Sequence, residues 1–118
     1  MDGTAAREED RLLAVMRDTL YVAVVSDVLD AAGLHGPAMD ARLRPLASTM
    51  RLVGRAHTVI TPDIYEIPAD PYRKEIEAVD ALKPGDMMVA STNHSRRTCF
   101  WGELLSTAAT VRRRRLRH

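Results

Sequence analysis

The sequence predicts an α/β fold, and three observations support that prediction. Segments with helical and strand-like periodicity follow one another in the order helix, helix, strand, helix, strand, helix. A turn motif, Lys83-Pro84-Gly85-Asp86, separates the third helix from the second strand. Hydrophobic residues make up 46% of the 118 residues and charged residues 28%, as in an ordinary globular protein. We therefore expect one α/β domain at most.

The first two helices are predicted before residue 34. Residues 21–25 are apolar and β-branched, and they fit either a short strand or a helix junction. Ser26 then has the properties of a helix N-cap, and Gly33 those of the residue that ends the helix. Residues 7–20 form the earlier helix, with an apolar face made of Leu12, Leu13, Val15, Met16 and Leu20.

The clearest predicted strand covers residues 52–61 and stops before Pro62. Gly54 indicates a bulge or the close approach of another backbone. Successive side chains point to opposite faces, and the face rich in small residues favours close packing by another element. That face holds Leu52, Gly54, Ala56, Thr58 and Ile60.

A helix, a turn and a strand are predicted to follow. Residues 83–86 place Pro84 and Gly85 where a type II turn prefers them. Residues 87–90 then form an apolar run typical of a buried strand. The helix before the turn covers residues 72–82, and its inward positions are Ile76, Val79 and Leu82.

Two loops carry polar residues that are open to more than one interpretation. Residues 92–97 follow the second strand, and a substrate contact and a solvated loop both fit Asn93, His94 and Ser95. The loop after the first strand contains Asp63, Glu66 and Asp70, which fit either a metal site or a hydrated acidic surface.

The final helix is predicted to begin near Gly102, within the stretch Trp101-Gly102-Glu103-Leu104-Leu105. The first turn of a helix has unpaired N–H groups and the positive end of the dipole. The amides of Leu104 and Leu105 would therefore suit a carboxylate or phosphate, and Glu103 could hold a metal or move a proton. The alternative is purely structural: Gly102 starts the helix, Glu103 complements the dipole, and the leucine pair is core.

Composition argues against several classes of protein. The net charge of +1 gives no overall field for nucleic acid, and no aromatic stacking pattern accompanies the five arginines among the last seven residues. One cysteine, Cys99, excludes an internal disulfide and fits a reducing, cytoplasmic location. We expect neither a signal peptide, because the N-terminus is acidic, nor a membrane span, because no apolar run is long enough.

Four segments, in order, resemble motifs of the RraA-like family. This family contains the regulator of ribonuclease activity and 4-hydroxy-4-methyl-2-oxoglutarate aldolases, and it is often labelled dimethylmenaquinone methyltransferase-like. The resemblance runs from about Leu12 to Val111. Residues 25–33 resemble its Ser-Asp-Ala-Leu-Asp…Gly segment, residues 52–59 its Val-Gly-Pro-Ala-x-Thr-Val strand, residues 83–89 its Pro-Gly-Asp-Val-Val turn and strand, and residues 101–109 its Trp-Gly-Glu-Leu-Leu…Ala-Ala helix start.

The resemblance implies an α/β/β/α (swivelling-domain-like) sandwich that assembles as a homotrimer or hexamer. The family's aldolases use Mg²⁺ or Mn²⁺ to cleave a 4-hydroxy-4-methyl-2-oxo acid to pyruvate, and they also decarboxylate oxaloacetate. By resemblance, Gly102, Leu104 and Leu105 would bind the carboxylate of a small 2-oxo acid, and Glu103 would be catalytic. The alternative implied function is a non-catalytic regulator that binds an RNase E-type ribonuclease.

The sequence also departs from the family pattern. The family signature continues to an Arg-Asp pair that grips the pyruvate unit and anchors the metal, but only 15 residues follow Glu103 here. We therefore expect residues 1–111 to be the N-terminal two-thirds of the domain, inactive alone, with the metal ligands unknown. Residues 112–118 are either a reading-frame product or a natural charged helix end. Arg55 stands where the family usually has Pro.

Overall fold

A computed structural model describes residues 3–97 and 99–115 of the chain. The chain divides into two compact units, Met1–Val53 and Gly54–His118. Helices and a small parallel sheet occur together, so the predicted α/β class and the predicted order of elements are confirmed. The elements are α1 (Gly3–Thr19), α2 (Val22–Ala31), β1 (Arg55–Ile60), α3 (Arg73–Asp80), β2 (Asp86–Ser91) and α4 (Glu103–Arg115).

Helix α2 begins earlier in the first unit than the sequence suggested. Its N-cap is Tyr21, which has extended backbone angles (φ −129°, ψ 160°), and Val25 N donates to Tyr21 O over 3.2 Å. The strand interpretation of residues 21–25 and the N-cap role of Ser26 are therefore wrong. Val25 and Leu29 lie four residues apart, on the same face of the helix, and are both half-buried. Packing of this face outweighs the small cost in helix propensity that the valines carry.

The end of α2 agrees with the prediction for Gly33. This glycine has a left-handed φ of 80°, and its N–H donates to Asp30 O over 3.0 Å. Leu34 N donates to Leu29 O over 2.9 Å. These two bonds form a Schellman motif, in which glycine adopts the left-handed angle without a Cβ penalty.

The first unit has little core of its own. No residue between 4 and 53 is buried, and Leu12 and Val15 on the predicted apolar face of α1 are exposed. Helices draw most of their stability from packing an apolar face. Packing within this unit therefore supplies little of the stability that such helices usually draw from an apolar face.

The second unit is built on a β-α-β motif. Strands β1 and β2 are parallel, with Arg55 opposite Asp86 and Ile60 opposite Ser91. Main-chain hydrogen bonds close both ends of the ladder, from Arg55 N to Gly85 O and from Thr61 N to Ser91 O, each 2.9 Å long. Strand β1 is shorter than the predicted 52–61 because β2 offers only six residues for pairing.

Two glycines shape the start of the sheet. A Cβ on Gly54 would lie 2.5 Å from Gly85 O, so the close backbone approach predicted there is confirmed. Gly85 has a φ of 81°, and Asp86 N donates to Lys83 O over 3.1 Å, as the predicted type II turn requires. The turn thus positions β2 directly against the strand that it pairs with.

Two burial predictions for this unit are wrong. Ala56, Thr58 and Ile60 are exposed, because the half-buried side chains of β1 lie on the opposite face, where Val59 and Met88 line a groove with residues of α3. Ile76 is 54% exposed, whereas Val79 and Leu82 are both only 3% exposed. Only the end of α3 is covered, so its first turn stays open.

Helix α4 continues through Val111 to Arg115, and Arg112 binds Asp80 of α3 through an ion pair of 2.6 Å. Both interpretations of residues 112–118 remain predictions, and residues 116–118 lie outside the described part of the chain. Of the helices described, not one combines the length and apolar character that crossing a membrane requires.

Candidate functional site

The start of α4 has the open backbone geometry expected from the sequence. Ser106 N donates to Gly102 O over 3.0 Å, which makes Gly102 the N-cap and Glu103 the first helical residue. The next two amides, those of Leu104 and Leu105, have no acceptor among the described residues. With 13 residues, α4 is long enough to place a partial positive charge at these amides.

The space in front of these amides is accessible. Residues 99–105 line a hollow of about 330 Å³. A Cβ on Gly102 would meet no atom within 4 Å, so the N-cap does not obstruct the hollow. Leu104 is 86% exposed and Leu105 is half-buried, so the structural alternative, in which both leucines are core, fails for Leu104.

Trp101 is held beside the helix start by hydrogen bonds that the sequence reasoning did not identify. Its indole Nε1 donates to Ser106 Oγ over 2.9 Å, and Ser106 Oγ donates to Gly102 O over 2.9 Å. A serine four residues after an N-cap can bond back to it, so the spacing was a usable signal. Phe100 packs edge-on against Trp101 with a centroid distance of 6.2 Å. Together these contacts fix one wall of the hollow.

The carboxylates of the described residues do not form a metal centre. No three His, Cys, Asp or Glu residues in ranges 3–97 and 99–115 come together in a way that could hold a metal. Glu103 is the one carboxylate among the residues that line the hollow, and its side chain is exposed. Asp80 is paired with Arg112 and Asp86 with Arg55. The residues present therefore do not fit the divalent metal that the family resemblance implies.

The polar loop after β2 contains a tight turn. Asn93 and His94 have left-handed φ angles of 50° and 65°, and Ser95 N donates to Thr92 O over 2.9 Å. Ser95 Oγ donates to Asp63 Oδ1 over 2.7 Å. None of these residues lines the hollow at α4, so the structure does not bring this loop into the candidate site.

Comparison with known proteins gives a family assignment for this arrangement. The family model described as RraA-like, Aldolase/RraA, matches residues 22–114. No curated protein and no solved structure shows significant similarity to the chain. The matched range includes both strands and the start of α4. Because it covers well over half of the sequence, the chain belongs to the RraA-like family.

Proposed function

We propose that the start of α4 binds the carboxylate of a small 2-oxo acid, such as pyruvate or oxaloacetate, as part of a lyase-type site. One observation carries the proposal: two unpaired amides, at Leu104 and Leu105, face an open hollow within the segment that matches the family. Backbone amides at a helix N-terminus are a general binding site for carboxylates.

Each residue of the site has a separate role. The amides of Leu104 and Leu105 hold and orient the carboxylate, and Gly102 leaves the approach open. Glu103 lies next to these amides, where its carboxylate can take or return a proton on the bound acid. Mg²⁺ or Mn²⁺ stays an expectation from the family, and we assign no step to a metal because the described carboxylates do not form its site.

Removal of one amide tests the carboxylate site. Leu104→Pro deletes the N–H, whereas Leu104→Ala keeps it and removes only a side chain that is already exposed. Proline is tolerated in the first helical turn. We expect Leu104→Pro to weaken pyruvate binding about tenfold or more, as loss of a hydrogen bond to a charged group should, while Leu104→Ala stays close to wild type.

Trp101 is the single tryptophan and lines the hollow, so its fluorescence can follow the titration. Circular dichroism confirms that both variants keep α4. Equal affinities for Leu104→Pro and Leu104→Ala would show that the amide does not bind the ligand.

We also propose that residues 1–111 are the N-terminal two-thirds of an α/β/β/α sandwich that assembles as a homotrimer or hexamer. The support is the unusual exposure of apolar side chains in both units. Large exposed apolar patches are typical of interfaces. The second unit exposes Ile60, Ile64, Tyr65, Ile67, Tyr72 and Ile76.

The expected solution state follows from this exposure. Light scattering after gel filtration should give a homo-oligomer or an aggregate rather than a monomer. A monodisperse monomer with one cooperative thermal transition would contradict the proposal, because such a chain would be stable without covering these side chains.

A second candidate function is the non-catalytic regulator of an RNase E-type ribonuclease. The same exposed apolar side chains favour it, since a protein partner could cover them. The two candidates differ in their ligand: a regulator has no need to bind pyruvate at Leu104 and Leu105. Loss of pyruvate binding in Leu104→Pro therefore supports the lyase over the regulator.

A further inference from the structure

The loops that follow β1 and β2 form two walls of an apolar groove. The groove has a volume of about 600 Å³, and α3 closes its third side. Thr61, Pro62 and Ile64 belong to the first wall, and Cys99, Phe100 and Trp101 belong to the second. The width of the groove thus depends on how the two loops are held relative to each other.

One side-chain hydrogen bond joins the two loops beyond the end of the strand ladder. Asp63 lies between Pro62 and Ile64 of the first wall, and its Oδ1 accepts from Ser95 Oγ over 2.7 Å. Within the second loop, Ser95 Oγ accepts from Arg97 N over 3.2 Å, and Ser95 O accepts from Thr92 Oγ1 over 3.1 Å. Through its hydrogen bond to Ser95, Asp63 is therefore connected to the other hydrogen bonds of the turn.

The turn that Ser95 closes stores strain. Left-handed angles are tolerable for Asn93, whose short polar side chain suits them, but they are unfavourable for His94. A glycine would adopt the same angle without a Cβ penalty, so His94 adds a conformational cost to this turn. The bonds at Ser95 and the bond from Asn93 N to Ser91 Oγ restrain the turn, and the bond to Asp63 is the one that ties it to the opposite wall.

We propose that the Asp63–Ser95 hydrogen bond is a latch that holds the strained turn at Asn93 and His94 and thereby sets the width of the apolar groove. When the bond is broken, the turn relaxes away from its left-handed conformation, and the first wall, in which Pro62 and Ile64 flank Asp63, is no longer tied to it. The second wall shares Cys99, Phe100 and Trp101 with the hollow at α4, whereas Asp63 and Ser95, the two residues of the latch, line neither the groove nor the hollow.

Asp63→Ala tests the latch in the full chain, and Asp63→Asn is its matched control, because the amide oxygen can still accept from Ser95 Oγ. The readouts are hydrogen exchange at the Ser95 and Arg97 amides and acrylamide quenching of Trp101, the single tryptophan. We expect Asp63→Ala to speed the exchange of both amides about fivefold, as loss of one net hydrogen bond would, and to increase quenching. Asp63→Asn should stay near wild type.

A second pair of variants tests the strain. His94→Gly removes the penalty of the left-handed angle, so the turn no longer needs the latch. We expect Asp63→Ala to have a smaller effect in the His94→Gly background than in wild type. Unchanged exchange and quenching in Asp63→Ala would overturn the proposal, as would equal changes in Asp63→Ala and Asp63→Asn. If the effects of Asp63→Ala and His94→Gly were fully additive, the latch would not act by holding the left-handed angle of His94.

Discussion

The 118-residue chain should not decarboxylate oxaloacetate above the rate that Mg²⁺ or Mn²⁺ gives alone. The start of α4 offers two amides and one carboxylate, and the described residues provide no metal centre. Loss of a single preorganised electrostatic group costs an enzyme about a hundredfold or more in rate. A chimera that continues after Val111 with the C-terminal third of a catalytic family member should gain the activity.

Glu103 is the residue to change in that chimera. We expect Glu103→Ala to lower its rate by about a hundredfold, the size of effect typical of a general acid or base. Leu104→Ala is the control, because it keeps the amide and removes a side chain that is 86% exposed. Rapid metal-dependent turnover by the 118-residue chain would contradict the proposal that the site is incomplete. An active chimera indifferent to Glu103→Ala would contradict the role of Glu103.

The second prediction concerns the stability that the ion pair between Arg55 and Asp86 gives to the start of the sheet. Asp86 Oδ1 accepts from Arg55 Nε over 3.1 Å, and Asp86 Oδ2 accepts from Lys83 N over 2.8 Å. Arg55 also donates to Pro84 O. The side chains are 32% exposed for Arg55 and 11% exposed for Asp86, so this pair is shielded from water more than a surface pair. It ties β1 to the turn that precedes β2.

Asp86→Ala should therefore destabilise the second unit severely. The change removes one partner of a half-buried guanidinium and the acceptor of the Lys83 amide, at a cost of about 2–4 kcal/mol. A typical domain has only about 5–15 kcal/mol of stability, and the buried apolar side chains among the described residues are those of Val79 and Leu82. Urea denaturation followed by Trp101 fluorescence should show a much lower midpoint for Asp86→Ala than for wild type.

Asp40→Ala is the control, because it breaks an ion pair of similar length that lies in water. Asp40 and Arg42 are joined over 2.8 Å with side chains 52% and 80% exposed. The Arg42 side chain, and then its backbone amide, lower the pKa of Asp40, but solvent screens such a pair. We expect no measurable shift in the midpoint for Asp40→Ala. Equal shifts in the two variants would show that the shielding of Asp86 has no consequence.

Features set by neighbouring residues could be predicted from the sequence. The type II turn at Gly85, the left-handed end of α2 at Gly33 and the start of α4 at Gly102 each depend on a few consecutive residues. Gly54 was also interpretable, because a glycine inside a strand often marks a close backbone approach. The open amides of Leu104 and Leu105 follow from the position of the helix start alone.

Features set by distant residues could not be predicted. Ser26 has the chemistry of an N-cap, but α2 starts five residues earlier because its apolar face continues through Val25. The exposure of Ile76 depends on where the covering elements end. The bond from Ser95 to Asp63 joins residues 32 positions apart in the sequence, and no local pattern indicates it.

The most direct measurement of the central claim is a pyruvate titration of the ¹⁵N-labelled chain, followed by NMR. A carboxylate that accepts hydrogen bonds from the start of α4 should shift the amide resonances of Leu104 and Leu105 in a saturable way. The amide of Arg42, which already donates to Asp40 Oδ1 over 2.8 Å, should not move. Saturable shifts that leave Leu104 and Leu105 unchanged, or no saturable shifts at all, would contradict the carboxylate site proposed for this protein.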